Sequence, residues 1–211
     1  MKKTFIAFIL IFFCDFVFAK NNYGTDFSIG LKGGANFNKI NGKGWTQHFS
    51  TNLQGGFFAY INKKHAGVQL EALFVQNSMT IDSSFYGLYQ QYTNSINDSL
   101  SKGSFQFNTI SVPLLLNIKL TQWFWVQIGP QFDATVDMID KNNILKSGNN
   151  IIKQENYSGV AGIWFQFGGK APVLRFNFGA RYITSLNNTN PFQTNDVWKN
   201  QRIQLHLGIS Y

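Results

Sequence analysis

The chain is poor in charge, in proline and in cysteine. Of its 211 residues only 13% are Asp, Glu, Lys or Arg, four are proline, and Cys14 is the sole cysteine. Charge at about half the usual share argues against an ordinary solvated surface. Disorder is excluded, because disordered chains are rich in charge and poor in aromatics, whereas this one is 17% aromatic with 22 Phe. A helical bundle is excluded too, since Phe, Asn and Gly outweigh the strong helix formers. No His-Glu-x-x-His pair, carboxylate cluster of metal-ligand spacing, Gly-Lys phosphate loop or Gly-x-Ser-x-Gly elbow is present, so no cofactor or metal is implied. The net charge of +8 is spread along the chain, which argues against nucleic acid as a partner.

Residues 1–19 have the form of a secretory signal peptide. Lys2 and Lys3 precede an apolar stretch from Phe5 to Cys14, and Ala19 supplies a small residue for cleavage. The stretch is too short to span a bilayer and Asp15 interrupts it. Cys14 is no lipidation site, because the bulky Ile11-Phe12-Phe13 stands where small residues are needed. The mature chain, 20–211, then contains no cysteine and no apolar run of 18 residues, so no membrane-spanning helix is expected.

What the mature chain does contain is alternation of period two, the signature of strands. Apolar and polar residues alternate over Phe27–Phe37, Leu53–Ile61, Ala66–Phe74, Ile110–Leu120, Phe124–Ala134, Tyr157–Phe167, Leu174–Tyr182 and Ile203–Tyr211. In all eight segments the apolar face is free of charge, and Lys32, Glu71, Lys119, Asp133, Arg175, Arg181 and Arg202 share the other face. The linkers alternate as well. Short ones lie near 62–64, 121–122 and 168–172, and long ones rich in Asn, Ser, Gly and Lys span roughly 41–52, 80–104, 138–156 and 186–199. Even strand number, short turns at one end and long loops at the other predict an eight-stranded antiparallel up-and-down barrel of the outer membrane, apolar outside and polar inside. A soluble lipocalin-like barrel or sandwich would reverse the faces and display the charge, which the low charge content disfavours.

Five segments strengthen this reading by resemblance. Gly30-Leu31-Lys32-Gly33-Gly34-Ala35-Asn36-Phe37, Gly55-Gly56-Phe57-Phe58, Gln69-Leu70-Glu71-Ala72-Leu73-Phe74, Ile110-Ser111-Val112-Pro113-Leu114-Leu115-Leu116 and Ile128-Gly129-Pro130-Gln131-Phe132 follow in this order. The pattern resembles the PorT family of outer-membrane barrels from Bacteroidota-type bacteria, from the first strand to the fifth. The resemblance implies an eight-stranded outer-membrane barrel without enzymatic activity. Some relatives serve a secretion system that exports surface proteins, so a secretion-system or surface-protein partner is the expectation, with an adhesion or ligand-binding barrel as the alternative.

The candidate residues fall into three groups. Lys32, Glu71, Asp133, Arg181 and Arg202 are expected to form a charge network in the lumen, with Glu71 bridged to Lys32 or Arg181, because a buried carboxylate needs a partner. His206 is placed at the depth of Lys32 and Glu71, and Arg181, Arg202 and Asp133 somewhat higher. Ile209 and Tyr211 end the chain on the lipid-facing parity, as expected for a terminal strand read by the barrel-assembly machinery. Phe85, Tyr86, Tyr89 and Tyr92 in the longest loop offer a candidate binding surface, since Tyr gives large contact area at low entropy cost; a hairpin continuing above the membrane would pack them instead. Lys141, Lys146, Lys153 and Lys199 are candidates to meet outer-membrane lipid and lipopolysaccharide, whereas Asp140, Glu155 and Asp196 nearby fit an ordinary solvated loop. A lipid-modifying enzyme would need a serine and a histidine together on the lipid face. His48 and Ser50 lie in an expected loop, whereas His206 and Ser210 share the lumen face. Bulky inward residues (Phe58, Leu73, Leu115, Trp125, Val160, Trp164 and Ile183) argue for a plugged interior rather than a pore.

Overall fold

The structure, a computed structural model, describes residues 25–94, 103–146, 150–168, 173–192 and 194–211. The expected signal peptide lies outside them. Eight strands follow one another: β1 (Thr25–Asn41), β2 (Ser50–Lys63), β3 (Ala66–Ile81), β4 (Gly103–Lys119), β5 (Phe124–Asp140), β6 (Glu155–Gly168), β7 (Arg175–Ser185) and β8 (Lys199–Ser210). A single helical turn, α1 (Ser84–Leu88), lies between β3 and β4. Each strand pairs antiparallel with the next, and β8 pairs with β1 to close the barrel.

Register sets the geometry. A path of paired residues leaves β1 at Lys39 and runs through Gln201, Thr184, Gly159 and Pro130. It crosses to Leu114, a step set by the neighbouring pair Pro113 and Gln131, then passes Leu70 and Ala59 and returns to β1 at Ile29. That is ten residues below where it left. Eight strands with this shear tilt by about 40° and enclose an interior that side chains fill. Glycines make room there. A Cβ on Gly30 would meet the Phe58 ring at 2.6 Å, and one on Gly34 would meet the Leu205 carbonyl oxygen at 2.0 Å.

The outward face is apolar over a band of limited height. On β1 it runs from Phe27 to Phe37, which at about 3.3 Å per residue and this tilt spans about 25 Å, the thickness such barrels present to lipid. At the short-turn end aromatic rings girdle the wall, with Trp123 and Phe124 stacked on Phe165 at 5.7 and 4.9 Å and Phe165 on Phe178 at 6.0 Å.

All eight strands begin or end beyond the alternating segments, chiefly toward the long loops. There the pattern inverts. On β4 the outward residues change from Ile110 to Asn108, Gln106 and Ser104, while the inward ones become Phe107 and Phe105; on β3 the change falls between Phe74 and Gln76. The sequence expectation that strand charge stays inward is therefore corrected outside the band. Lys39, Asp137, Glu155 and Lys199 face outward, because at that height the wall meets water and headgroups rather than hydrocarbon. Asp137 reaches this face through a bulge in β5, where the register against β4 shifts between Asn108 and Thr109.

The last strand closes the seam. Ile209 pairs with Leu31, Tyr211 exchanges both backbone hydrogen bonds with Ile29 (2.8 and 2.9 Å), and both side chains face outward. Deleting Ile209–Tyr211 removes these bonds and leaves β1 with a bare edge in lipid. The truncation is expected to fail to assemble; normal heat-modifiable migration on gels would refute this role of the C-terminus.

Candidate functional site

The lumen is filled in tiers. Nearest the short turns, Arg175 of β7 donates to both carboxylate oxygens of Asp26 (2.5 and 2.7 Å) and to the Tyr60 hydroxyl (2.6 Å). Gln166 donates to the same hydroxyl. Phe58, Tyr60, Trp125 and Trp164 pack into one aromatic cluster above this knot, and the Lys119 amine lies 5.3 Å over the Trp125 ring.

At mid-depth Glu71 of β3 is buried and fully engaged. Arg181 of β7 grips it bidentately, Nη1 to Oε2 at 2.7 Å and Nη2 to Oε1 at 2.6 Å, and the Lys32 amine of β1 donates to Oε1 at 2.7 Å. Gln69 adds a further donor. Arg181 also donates to Gln127 Oε1 through Nε (3.1 Å) and Nη2 (2.9 Å), and Gln127 passes the network on to Asn117 at 2.8 Å. The Lys32 amine lies 4.7 Å over the Phe58 ring, which ties this tier to the aromatic one beneath it.

Above comes an apolar patch of Leu115, Val160 and Ile183, then a second ionic centre. Asp133 of β5 accepts from Arg202 of β8, from Ser111 (2.5 Å), Gln131 (2.7 Å), Ser158 (3.2 Å) and Asn156 (3.3 Å). On β8 the side chains of Gln204 and His206 are buried, and neither is hydrogen-bonded to another protein group.

The sequence placed Arg181 with Arg202 and Asp133, higher than Glu71. The structure divides them otherwise: Arg181 reaches down to Glu71, whereas Arg202 takes Asp133. Lys32 and Arg181 both hold the carboxylate, where one partner was expected. Asp26 and Arg175 form a third ion pair that the shorter first strand, begun at Phe27, had left out.

A cap closes the long-loop end. Ile40, Trp45, Ile81, Phe85, Tyr89, Phe105, Ile144, Ile151, Phe192 and Trp198 belong to one buried cluster drawn from the strand tops and all four long connections. Trp198 donates from Nε1 to the Tyr89 hydroxyl (3.2 Å), which donates to Asp196 (3.0 Å), and Lys43 pairs with Asp196 at 3.3 Å. Beside it the Asp140 carboxylate accepts from the backbone N–H of Ile144 (2.6 Å) and Leu145 (2.9 Å), shaping the β5–β6 loop. The expected aromatic loop surface is therefore corrected. Phe85 and Tyr89 have no exposed area and Tyr86 and Tyr92 pack half-buried on the same cluster, because the inverted, apolar top of the lumen needs a cover.

Of the loop lysines, Lys146 donates to the Gln91 carbonyl (2.8 Å) and Lys199 to those of Leu186 (2.5 Å) and Asn187 (3.2 Å), while Lys141 and Lys153 are exposed. His48 is exposed in the β1–β2 loop, and His206 and Ser210 are buried in the lumen. Among the described residues no three His, Cys, Asp or Glu side chains gather as metal ligands would.

A closed barrel with an apolar belt, aromatic girdle and polar filling is an integral outer-membrane protein. The chain belongs to the outer membrane protein beta-barrel domain family, whose profile matches residues 18–190, and it resides in the outer membrane. Solved structures of outer-membrane proteins are similar to the chain at low identity. Neisserial surface protein A (NspA) is 10% identical with a TM-score of 0.49, covering 89% of this chain and 97% of its own. Ail, the attachment invasion locus protein of Yersinia pestis, is 10% identical with a TM-score of 0.45, covering 88% and 99%. OprG from Pseudomonas aeruginosa is 13% identical with a TM-score of 0.43, covering 89% and 97%. A search of curated proteins found no match.

Two predictions follow from the filling and the cap. Glu71→Ala leaves two buried cations without their carboxylate and is expected to cost about 3–5 kcal/mol. Glu155→Ala, at the exposed rim, should cost far less. Replacing Lys32, Glu71 and Arg181 together by Met, Leu and Met should recover much of the loss. An unchanged denaturant midpoint for Glu71→Ala would refute the lumen assignment. In the cap, burial and then the hydrogen bond to Asp196 push the Tyr89 phenol up to about 12. The folded cap thus keeps its proton where an unfolded phenol, at about 10, loses it. Tyr89 accordingly disfavours the folded cap progressively as pH rises from about 10 to 12 and has no such effect below that window. Proteolysis of the cap loops should accelerate across it in the parent and less so in Tyr89→Phe.

Proposed function

We propose that the protein is a non-conducting, non-enzymatic scaffold whose rigid cap engages a protein partner outside the cell, in a PorT-like role in the delivery of proteins to the surface. The observation that carries this reading is the sealed axis. An Arg175–Asp26–Tyr60 knot, an aromatic plug, two ionic centres and an apolar cap stand in series between the periplasm and the outside. A conduit would have no use for such a filling. Chemistry is disfavoured by placement, since His206 and Ser210 lie inside, out of reach of an acyl chain.

The cap is suited to contact because its shape is held by its own core. Leu88 and Val197, 45% and 57% exposed, flank the Tyr89–Asp196–Trp198 network and present apolar contact area on a fixed base. Folded loops of this kind spare a partner the entropy of ordering them.

Two measurements test the reading. In planar bilayers the purified barrel is expected to give no ion conductance, and stable open channels would overturn the sealed-axis argument. In the native host, deleting the gene should reduce surface delivery of secreted proteins. Re-expression of the parent should restore it, and a variant carrying Leu88→Asp and Val197→Asp should not. Normal surface delivery in the deletion strain would sink the secretion role and leave adhesion as the reading to pursue.

A further inference from the structure

The mid-depth centre of the lumen is not neutral. Lys32 and Arg181 both hold the Oε1 atom of Glu71, at 2.7 and 2.6 Å, so two cations stand side by side on one carboxylate. The other inward acids are engaged elsewhere, Asp26 with Arg175 and Asp133 with Arg202. The Phe58 ring, 4.7 Å from the Lys32 amine, adds only a weak attraction. One positive charge is thus left over in a buried place, where an uncompensated ion is strongly disfavoured.

The same place holds donors that no protein group accepts. Lys32 pairs with Gly208 across the β1–β8 seam, and Arg181 pairs with Gln204 across β7–β8. His206 lies between these two pairs on β8 and is itself opposite glycines, Gly34 on β1 and Gly179 on β7. It therefore has Lys32 diagonally on one side and Arg181 diagonally on the other, each about 7–8 Å away along the sheet. A Cβ at Gly179 would meet its Nε2 at 2.4 Å, so the ring leans over β7, the strand of Arg181. Neither nitrogen of His206 and neither end of the Gln204 amide has a protein partner, although both residues are buried. Lys32 has two further N–H bonds to give beyond the one to Glu71, and Arg181 has one more at Nη1.

We propose that Lys32, Arg181, Gln204 and His206 form a binding site inside the barrel for one small monovalent anion such as chloride. The charge of the occupant follows from the single excess cation, and its size from an interior that side chains otherwise fill. Its donors come from three adjacent strands, β7, β8 and β1, so the ion ties the closing seam to its neighbour. This rests on the lumen assignment and is independent of the secretion reading.

The test is urea unfolding of the full mature protein in detergent micelles, in sodium chloride against sodium gluconate at equal ionic strength. An anion released on unfolding lowers the unfolding constant about tenfold for each tenfold rise in chloride once the site is filled. Lys32→Met removes the excess charge and keeps the bidentate Arg181–Glu71 pair, so the response should vanish. Lys32→Arg should keep it, and Lys64→Gln, at the exposed β2–β3 turn, should respond as the parent does. Gln204→Leu with His206→Leu keeps both cations and should raise the chloride concentration needed for half the effect about tenfold. This double variant carries the test if heat-modifiable migration shows that Lys32→Met does not fold. In crystals soaked in bromide, an anomalous peak is expected beside His206 and Gln204. Equal midpoints of the parent in chloride and gluconate would overturn the proposal, as would an undiminished response in the folded variants or bromide peaks confined to the outer surface.

Discussion

In hydrocarbon a backbone N–H or C=O without a partner costs several kcal/mol, so a sheet that enters a membrane has to close. For this chain closure depends on the antiparallel seam between β8 and β1, from Gly30 opposite Ser210 to Asn41 opposite Lys199. The other features follow from that ring. Eight strands at this shear leave no open channel, so every inward side chain must either pack or pair. Glycine takes the inward positions where strands crowd, rings take the space beside it, and each of the inward carboxylates Asp26, Glu71 and Asp133 meets at least one cation. Glu71 accepts from two cations at once because Lys32 and Arg181 converge on it from opposite sides of the same depth.

The inversion of polarity on the upper strands has the same origin. Where the wall leaves the hydrocarbon, Gln76, Ser78, Asn108 and Gln106 face water, and the driving force for polar inward positions disappears. The strands nevertheless continue as a closed tube. Its interior above the band can then be an ordinary apolar core, which Trp45, Phe85, Tyr89 and Trp198 supply from the connections. A membrane barrel below and a small water-soluble domain above thus share one set of strands.

This division explains what could be read in advance. Within the band alternation is strict, because lipid punishes any departure from it, and all eight strands and their parity were legible. So was the need of Glu71 for a cation. Above the band both faces mix polar and apolar residues, so the pattern that ended the predicted strands at Phe37, Phe74 and Ala134 was the bilayer ending rather than the strand. The aromatic run from Phe85 to Tyr92 left a binding surface and a packed hairpin both open, because its cover, Trp45, Phe192 and Trp198, lies far away in sequence. The reach of Arg181 down to Glu71 was hidden for another reason. Counting residues gives the height of a Cα, whereas a guanidinium acts several ångströms from its own.

The polar filling also bears on register. Buried ion pairs add little net stability over a well-packed apolar core, so stability alone does not account for them. Their connectivity is more telling. Glu71 links β3 to β1 and β7, Asp133 links β5 to β4, β6 and β8, and Arg175 links β7 to β1 and β2. Every strand takes part in at least one such contact, those of β4 and β6 being to their common neighbour β5. A slip of one residue in any strand would turn its inward polar groups to lipid and leave their partners unpaired. An apolar filling would tolerate a slip far better, because hydrocarbon side chains are at home on either side of the wall. The ionic tiers therefore discriminate between registers in a solvent where apolar contacts alone distinguish them poorly.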